Sequence, residues 1–326
     1  MDMKKYIKLL RPQHWIKNLL IFFPVIFYRS TVLEDYLKAL SGIICFSALA
    51  SSVYIFNDIR DYEKDRLHVS KCKRPIASGA IGIRQGSIIG IALSLCALFA
   101  SFILGSYSAL GISMIYFGIN MMYSFGLKNK TILDVVILSS GFVLRVLYGG
   151  AIVHIEVSAM LLLTVFMFSL YMGLGKRRNE KRKTENDTRE VLKLYSDTFL
   201  DRNMYMSLTL GIVFYSIWAM SLDQYMIYTT IFVVIICMRY NFILESDSLG
   251  DPVDVVLADK ILLIMILLFA FFNSFPTKMP FIPGISISRK RMSFSPLSDR
   301  RDSPSEKQTS SGHFTPIFSK KFIIYF

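Results

Sequence analysis

Charged residues are scarce in this chain, and the scarcity limits what it can be. Asp, Glu, Lys and Arg make up 19% of the 326 residues, whereas a soluble domain carries about 25%. Hydrophobic residues make up 53% and stand in long blocks, such as ILLIMILLFAFF at 261–272, which has no polar face. A soluble α-helical protein is therefore excluded in favour of a polytopic membrane protein, in which each span needs about 20 apolar residues.

Cysteine and histidine are also rare, with four of each. Cys45, Cys96 and Cys237 lie in apolar blocks and Cys72 in a basic segment, without C-x-x-C or Cys/His ligand spacing. This distribution excludes a structural zinc site and a disulfide framework. The first apolar block follows eighteen mixed polar residues and has no small-residue cleavage site, so no cleavable signal peptide is expected.

Nine apolar blocks predict an all-α polytopic membrane protein of about nine transmembrane helices. The blocks lie near 19–34, 38–57, 84–104, 107–125, 132–153, 157–175, 206–222, 225–243 and 258–275. Lys and Arg concentrate in alternate links: five precede the first block, six lie in 58–83 and nine in 176–205, whereas 105–106, 154–156 and 223–224 have none. By the positive-inside rule, the N-terminus and segments 58–83, 126–131, 176–205 and 244–257 face the cytoplasm.

The last 51 residues differ in composition from the rest of the chain. Residues 276–326 contain six of the ten Pro and ten Ser, with nine Lys or Arg against three Asp or Glu. Such a composition is typical of disordered segments. We therefore predict a membrane domain over 1–275 and a basic Ser/Pro-rich tail over 276–326.

An acidic cluster, NDIRDYEKD at 57–65, follows the second apolar block. On a continuous helix Asn57, Asp58, Asp61 and Asp65 fall within an arc of about 100°. Three carboxylates on one face repel one another unless a cation lies among them, and oxygen-only ligands suit Mg²⁺. The pattern predicts a magnesium site, with a solvated helix end stapled by neighbouring Lys and Arg as the alternative.

Basic residues accompany this cluster in four other segments, namely 11–18, 71–79, 123–145 and 175–180. KCKRPIASG follows it directly, with Lys71 and Arg74 placed to bind phosphate oxygens, or simply to anchor the chain at the membrane surface. In YSFGLKNKTILDVVILSSGFVLR at 123–145, an acid, a glycine and an arginine share one helix face, and an arginine inside a span needs a polar cavity or an acidic partner. The candidate substrate-binding residues are Lys17, Asn57, Lys71, Arg74, Tyr123, Asp134, Arg145, Lys176 and Arg177.

The acidic motif Asn57-Asp58-x-x-Asp61-x-x-x-Asp65 resembles the first acidic motif of the UbiA-type intramembrane prenyltransferases. That resemblance implies nine helices around a central cavity with a lateral opening to lipid, and a phosphate–Mg²⁺ site at the cytoplasmic mouth. Further pieces, RPQHWIKNLLIFFPVIF at 11–27, the segment at 123–145, GKRRNE at 175–180 and DPVDVVLADKILL at 251–263, resemble the decaprenyl-phosphate phosphoribosyltransferases within it. The resemblance covers residues 1 to about 273, with Val69 standing where a proline is expected.

The resemblance implies that 5-phosphoribosyl is transferred from phosphoribosyl pyrophosphate (PRPP) to a polyprenyl phosphate, for cell-envelope precursor synthesis. It implies Mg²⁺ on Asp58, Asp61 and Asp65, with Asp58, Asp61 and Lys128 as the catalytic residues. The expected location is the cytoplasmic (inner) membrane, with the active site on the cytoplasmic face. The expected partners are PRPP, a polyprenyl phosphate lipid and the bilayer, and no nucleic acid.

Two alternatives remain open. A UbiA-type enzyme that transfers a prenyl group to an aromatic or other acceptor shares the acidic motif. The loop after the sixth block, KRRNEKRKTENDTRE, lacks the second Asp-rich motif of the aromatic-substrate enzymes, which favours the phosphoribosyl interpretation. A transporter, the second alternative, places polar groups at the midplane and has internal repeats. Here the charges crowd one membrane face and no convincing repeat is found.

Overall fold

Helices are the only regular elements of the residues that this computed structural model describes, which are 3–69, 71–183, 190–245 and 252–274. The apolar blocks require this, because in lipid each backbone N–H and C=O group has to bond within its own segment unless strands close into a barrel. The all-α prediction is therefore confirmed. The predicted tail, 276–326, lies outside the described residues, as do parts of two predicted links, 184–189 and 246–251.

Twelve α-helices and four 3₁₀ helices follow one another along the described residues. The α-helices are α1 (Met3–Leu10), α2 (Phe23–Phe27), α3 (Leu33–Arg60), α4 (Tyr62–Leu67), α5 (Ile83–Phe125), α6 (Leu133–Val153), α7 (Ala159–Lys183), α8 (Glu190–Leu194), α9 (Asp197–Leu222), α10 (Thr229–Glu245), α11 (Pro252–Ala258) and α12 (Lys260–Ser274). The 3₁₀ helices are Pro12–Phe22, Lys71–Lys73, Leu127–Asn129 and Gln224–Tyr228.

Within the residues that the structure describes, six helical segments are long and apolar enough to cross a membrane. They are Leu33–Arg60, Ile83–Gly105, Leu133–Val153, Ala159–Arg182, Asp197–Leu222 and Gln224–Glu245, with a shorter apolar helix at Lys260–Ala270. Each coincides with a predicted apolar block, so the chain is an integral membrane protein. The sixth and seventh blocks extend beyond their predicted ends, because α7 continues to Lys183 and α9 begins at Asp197.

The predicted third and fourth blocks both lie within α5, and the chain reverses its direction between them. The Ser113 hydroxyl donates to Ser101 Oγ at 3.0 Å, whereas twelve residues of a straight helix rise about 18 Å. The reversal lies near Gly105, where an added Cβ would stand 2.6 Å from the Ala109 Cβ and 2.8 Å from Ile152. The two blocks are therefore separate helical segments with almost no link between them.

The first predicted block is not an ordinary span. Residues 19–27 of this block lie in the end of the 3₁₀ helix Pro12–Phe22 and in the short α2, each shorter than a membrane crossing. This segment lies against α6 instead, with Ile21 and Val25 fully buried. At the closest approach, a Cβ on Gly149 would stand 2.2 Å from the Ile21 carbonyl oxygen. Only glycine permits this packing, which fixes the height of the N-terminal segment along α6.

Substituting Gly149 tests that packing. We expect Gly149→Ala to lower the free energy of unfolding by about 1–3 kcal/mol, because the new methyl group overpacks against backbone that cannot rotate away. Thermal melting of the purified protein in detergent measures the change. Gly118→Ala is the control, since no atom lies within 4 Å of its added Cβ. Equal melting temperatures for the two variants would contradict this close packing of Gly149 against Ile21.

Candidate active site

The acidic segment is not one continuous helix, which corrects the sequence prediction. Helix α3 ends at Arg60, Asp61 stands between helices with φ −92° and ψ 7°, and α4 begins at Tyr62. The backbone still turns helically, because Asp61 N–H donates to the Asn57 carbonyl at 2.9 Å and Asp65 N–H to the Asp61 carbonyl at 2.8 Å. Asp58 and Asp65 share one set of contacts, and Asp61 makes a separate one.

Two of the carboxylates share a guanidinium group. One Arg74 nitrogen, Nη1, lies 3.1 Å from Asp58 Oδ1 and 2.5 Å from Asp65 Oδ2. Asp58 also pairs with Arg11 at 2.5 Å. Both acids are almost fully buried, at 2% and 4% exposure. Burying two like charges is tolerated only with cations beside them, and the arginines supply these cations.

Helix α1 holds the loop that carries Arg74. Lys5 Nζ donates to the Ala80 carbonyl at 3.1 Å, and Lys8 Nζ donates to the Lys73 carbonyl at 2.8 Å. Within the loop, Gly79 adopts φ +75°, a conformation in which a side chain would be strained. The N-terminal segment therefore fixes both arginines around Asp58, Arg74 through the loop and Arg11 directly.

The third carboxylate pairs with a lysine from the link between α5 and α6. Lys128 Nζ lies 2.5 Å and 2.6 Å from the two oxygens of Asp61. Both side chains are partly exposed, at 19% and 21%. Beside them, the Ser124 hydroxyl donates to the side-chain oxygen of Asn57 at 3.2 Å. Asp61 and Lys128, two of the three expected catalytic residues, are thus in direct contact.

A second buried network joins the start of α6 to the end of α7. Asp134 accepts from Arg177 Nε at 2.7 Å and from the Tyr195 hydroxyl at 2.6 Å. Arg177 also contacts Glu180 at 2.6 Å, and Tyr123 lies close enough to interact with it electrostatically. Arg177 and Asp134 are 1% and 0% exposed. An ion pair so enclosed binds three segments of this end of the bundle together.

Among the described residues, the groups that contact the Arg145 guanidinium are neutral and none is an acid. The guanidinium donates to Asn18 Oδ1 at 2.7 Å, to the Gly141 carbonyl at 2.6 Å and to the Tyr116 hydroxyl at 3.1 Å. Aromatic rings of Phe46, Tyr116 and Phe142 lie 5.1–5.6 Å from its Cζ, a geometry in which a ring face attracts a cation. None of these partners is another predicted substrate-binding residue.

The other predicted binding residues, Lys17, Lys71 and Lys176, are half-buried, and each has an interaction partner within the protein. The sequence prediction missed Arg11 and Tyr195, which both take part in these networks. Arg11 opens the polar segment RPQHWIKN, and Tyr195 precedes the acidic stretch SDTFLD. Proximity to other polar residues was the available signal in both cases. The Asp197 and Asp201 carboxylates of that stretch pair with Lys181 and Arg178 of α7.

The donor chemistry fits a hard divalent cation, since Asp58, Asp61 and Asp65 offer only oxygen. Among the described side chains, however, no three His, Cys, Asp or Glu groups stand together as a metal site. Arg74 and Lys128 lie against these carboxylates instead. A cation bound by all three carboxylates would therefore have to replace those contacts.

Comparison with known proteins gives a family and a fold. A family model described as the UbiA prenyltransferase family matches residues 18–254. The decaprenyl-phosphate phosphoribosyltransferase of Mycolicibacterium smegmatis is 32% identical over 282 residues, covering 80% of this chain and 88% of that protein. The protein of the same name from Corynebacterium glutamicum is 32% identical over 284 residues, covering 81% and 84%.

A solved structure shares the fold. The UbiA homolog from Archaeoglobus fulgidus bound to GPP and Mg²⁺ superposes with a TM-score of 0.62 and 17% identity, covering 83% of this chain and 99% of that chain. Because the identity is low, this likeness concerns the arrangement of helices.

Proposed function

The chain belongs to the UbiA prenyltransferase family, and we propose that within this family it is a polyprenyl-phosphate phosphoribosyltransferase. The observation that carries the proposal is the 32% identity to decaprenyl-phosphate phosphoribosyltransferases over 80% of the chain. The site is compatible with it, because carboxylates and cations alternate at one end of an apolar helix bundle. A soluble diphosphate and a lipid phosphate could both reach such a location.

In the proposed reaction, a phosphate oxygen of the polyprenyl phosphate attacks C1 of PRPP. The bond between C1 and the pyrophosphate oxygen breaks, the electron pair leaves with pyrophosphate, and the anomeric centre inverts. The nucleophile is already an anion at neutral pH, so no strong general base is required. The protein's main tasks are to align the two anions and to offset the charge that develops on the leaving group.

The carboxylates Asp58, Asp61 and Asp65 would hold Mg²⁺, which supplies electrostatic stabilisation of the departing pyrophosphate when bound. Metal and phosphates would then exchange partners with the residues now in contact. When the carboxylates bind the metal, their contacts with Arg74 and Lys128 would break. Both cations would then be placed to bind phosphate oxygens beside the metal. Arg11 belongs to the same set, because it shares Asp58 with Arg74.

The proposal includes an orientation. The end of the bundle that holds Asp58 and Lys128 also carries the basic N-terminus and the basic loop at 71–74. By the positive-inside rule it faces the cytoplasm, so the protein lies in the cytoplasmic membrane with its active site on that face. The product would be a polyprenyl-phosphoryl 5-phosphoribose, a lipid-linked precursor for the cell envelope. Residues 1–275 would form the enzyme domain, followed by the tail over 276–326.

The test is an assay of membranes containing the full chain with PRPP labelled in the ribose. We expect label in the lipid fraction only when polyprenyl phosphate is added, with one pyrophosphate released per label transferred. Removal of divalent metal with EDTA should abolish transfer, and Mg²⁺ should restore it. Membranes from the same host without the chain are the control.

A parallel assay supplies labelled prenyl diphosphate and an aromatic acid. Transfer of prenyl label to the aromatic compound, without ribose label in lipid, would contradict the proposal and support the prenyltransferase alternative. Transfer of ribose label that persists without divalent metal would contradict the proposed Mg²⁺ site while leaving the reaction intact.

A further inference from the structure

Tyr195 makes two short hydrogen bonds from the joint between α8 and α9. Its hydroxyl donates to Asp134 Oδ1 at 2.6 Å and accepts from the backbone N–H of Ile132 at 2.6 Å. The side chain is 3% exposed and stacks on Phe199. One phenol thus uses both its donor and its acceptor on residues two apart in another segment, which is more than a packing contact requires.

The backbone that Tyr195 holds is strained. Ile132 has φ +70° and ψ −51°, a region that a β-branched residue adopts only under constraint. Leu133 N–H donates to the Thr131 carbonyl at 2.8 Å, so Ile132 is the centre of a γ-turn. The strained form of this turn is rare. A bond from Tyr195 to the central N–H is therefore placed where it can maintain the turn.

Lys128 lies four residues before this turn. The link between α5 and α6 begins at Gly126, with φ +149°, continues as the 3₁₀ helix Leu127–Asn129 and ends at Ile132. The turn at Ile132 sets the direction in which the link enters α6. Since the Lys128 ammonium sits between both oxygens of Asp61, a small change in the path of the link would break that bidentate contact.

We propose that Tyr195 is a positioning residue for Lys128, acting through the strained turn at Ile132. Helix α8, which ends one residue before Tyr195, is itself docked, because its Val191 and Leu192 side chains are buried. Docking of the region after α7 is thereby coupled to the placement of the lysine on Asp61. The consequence for turnover rests on the function proposed above, whereas the structural coupling does not.

The protonation of Tyr195 supports this role. Burial and the hydrogen bond to Asp134 raise the pKa of the Tyr195 hydroxyl well above its ordinary value. The phenol therefore stays protonated throughout the physiological range and remains a donor toward Asp134. The oxygen lone pair is left for the Ile132 N–H.

The first test compares two tyrosine-to-phenylalanine variants in the full chain. Tyr195→Phe keeps the ring and removes both hydrogen bonds, and we expect kcat/KM for PRPP to fall about tenfold. The KM for polyprenyl phosphate should stay within about twofold, because in the proposed reaction Lys128 acts beside the metal that offsets the charge of the leaving pyrophosphate. Tyr171→Phe is the matched control. Tyr171 is buried in the same cluster as Tyr195, and its hydroxyl bonds to Asn241 of α10 instead.

The second test asks whether the effect passes through the turn. Glycine adopts positive φ without strain, so Ile132→Gly should restore most of the kcat/KM lost in Tyr195→Phe. Hydrogen exchange of the backbone over residues 127–134 should rise in Tyr195→Phe and remain as in the wild type in Tyr171→Phe. Exchange is measured without substrate, so it tests the coupling even if the transferred group proves to be a different one.

Three results would overturn the proposal. One is equal exchange over 127–134 in the wild type and Tyr195→Phe. Another is an equal loss of kcat/KM in Tyr195→Phe and Tyr171→Phe, which would indicate a general packing effect. The last is a Tyr195→Phe defect that Ile132→Gly leaves unchanged. If no ribose transfer is detected in the wild type while the exchange difference is present, the proposed reaction fails and the positional coupling stands.

Discussion

Asp61→Asn is expected to lower kcat/KM for PRPP by about 10²–10³-fold, the usual cost of losing one group that stabilises charge in a transition state. Asp61 occupies the break between α3 and α4 and is the carboxylate paired with Lys128. The amide keeps the shape of the side chain but removes the charge that would bind metal. The same change also frees the Lys128 ammonium from its present position. Rates are measured with labelled PRPP over a range of Mg²⁺ concentrations.

The Mg²⁺ series separates two roles of Asp61. If the residue helps hold metal, the concentration of Mg²⁺ at half-maximal rate rises in Asp61→Asn. If it only orients Lys128, the rate falls without that shift. Glu63→Gln is the control, since Glu63 lies in the same short segment but is exposed, and we expect it to retain at least about half the wild-type rate. Turnover in Asp61→Asn equal to wild type would refute the metal-site proposal.

The largest expected effect on stability concerns the ion pair between Asp134 and Arg177. Arg177→Met should lower the free energy of unfolding by about 3–5 kcal/mol, because it leaves a buried carboxylate without its cation. Both partners are at most 1% exposed, so water cannot replace the lost charge. Thermal or denaturant unfolding of the purified protein in detergent, followed by tryptophan fluorescence, measures the loss.

A second substitution checks that explanation. Adding Asp134→Leu to Arg177→Met removes the stranded charge, and we expect at least about half of the lost stability to return. Lys181→Met is the matched control from the same helix. Its partner Asp197 is 68% exposed, and an exposed pair contributes about 0–1 kcal/mol. A double variant less stable than Arg177→Met would show that Asp134 is stabilised by other contacts, such as the Tyr195 hydroxyl.

The sequence was most informative where a local pattern alone determines the structure. An apolar block of about 20 residues has few alternatives to a membrane helix, so the positions of the long helices were predictable. Asp61 and Lys128 were named together as catalytic residues from the family resemblance, and the structure brings these two side chains into contact. Asp58 and Asp65, seven residues apart, remain on one side despite the break at Asp61, as their helical spacing indicates.

The sequence was least informative where partners come from distant segments. Arg145 was expected to face an acid or a polar cavity, but its charge is met by an amide, a carbonyl and aromatic rings. The acid on its own helix, Asp134, pairs with Arg177 of α7 instead. Spacing within one helix cannot show which residue of another helix lies opposite. The role of Arg11 was missed for the same reason, since 47 residues separate it from Asp58.

The bond between Asn18 and Arg145 bears on the order in which the chain assembles during synthesis. The two residues are 127 positions apart. Ile21 packs against Gly149, which lies in α6 together with Arg145. Residues 11–27 leave the ribosome well before α6 does, so they have no complete binding surface until α6 has entered the bilayer. The same segment places Arg11 beside Asp58. The ion pair between these two residues is therefore completed only after α6 is in place. In a protein truncated before α6, residues 11–27 would lack the helix against which they pack, and Arg11 would not be held beside Asp58.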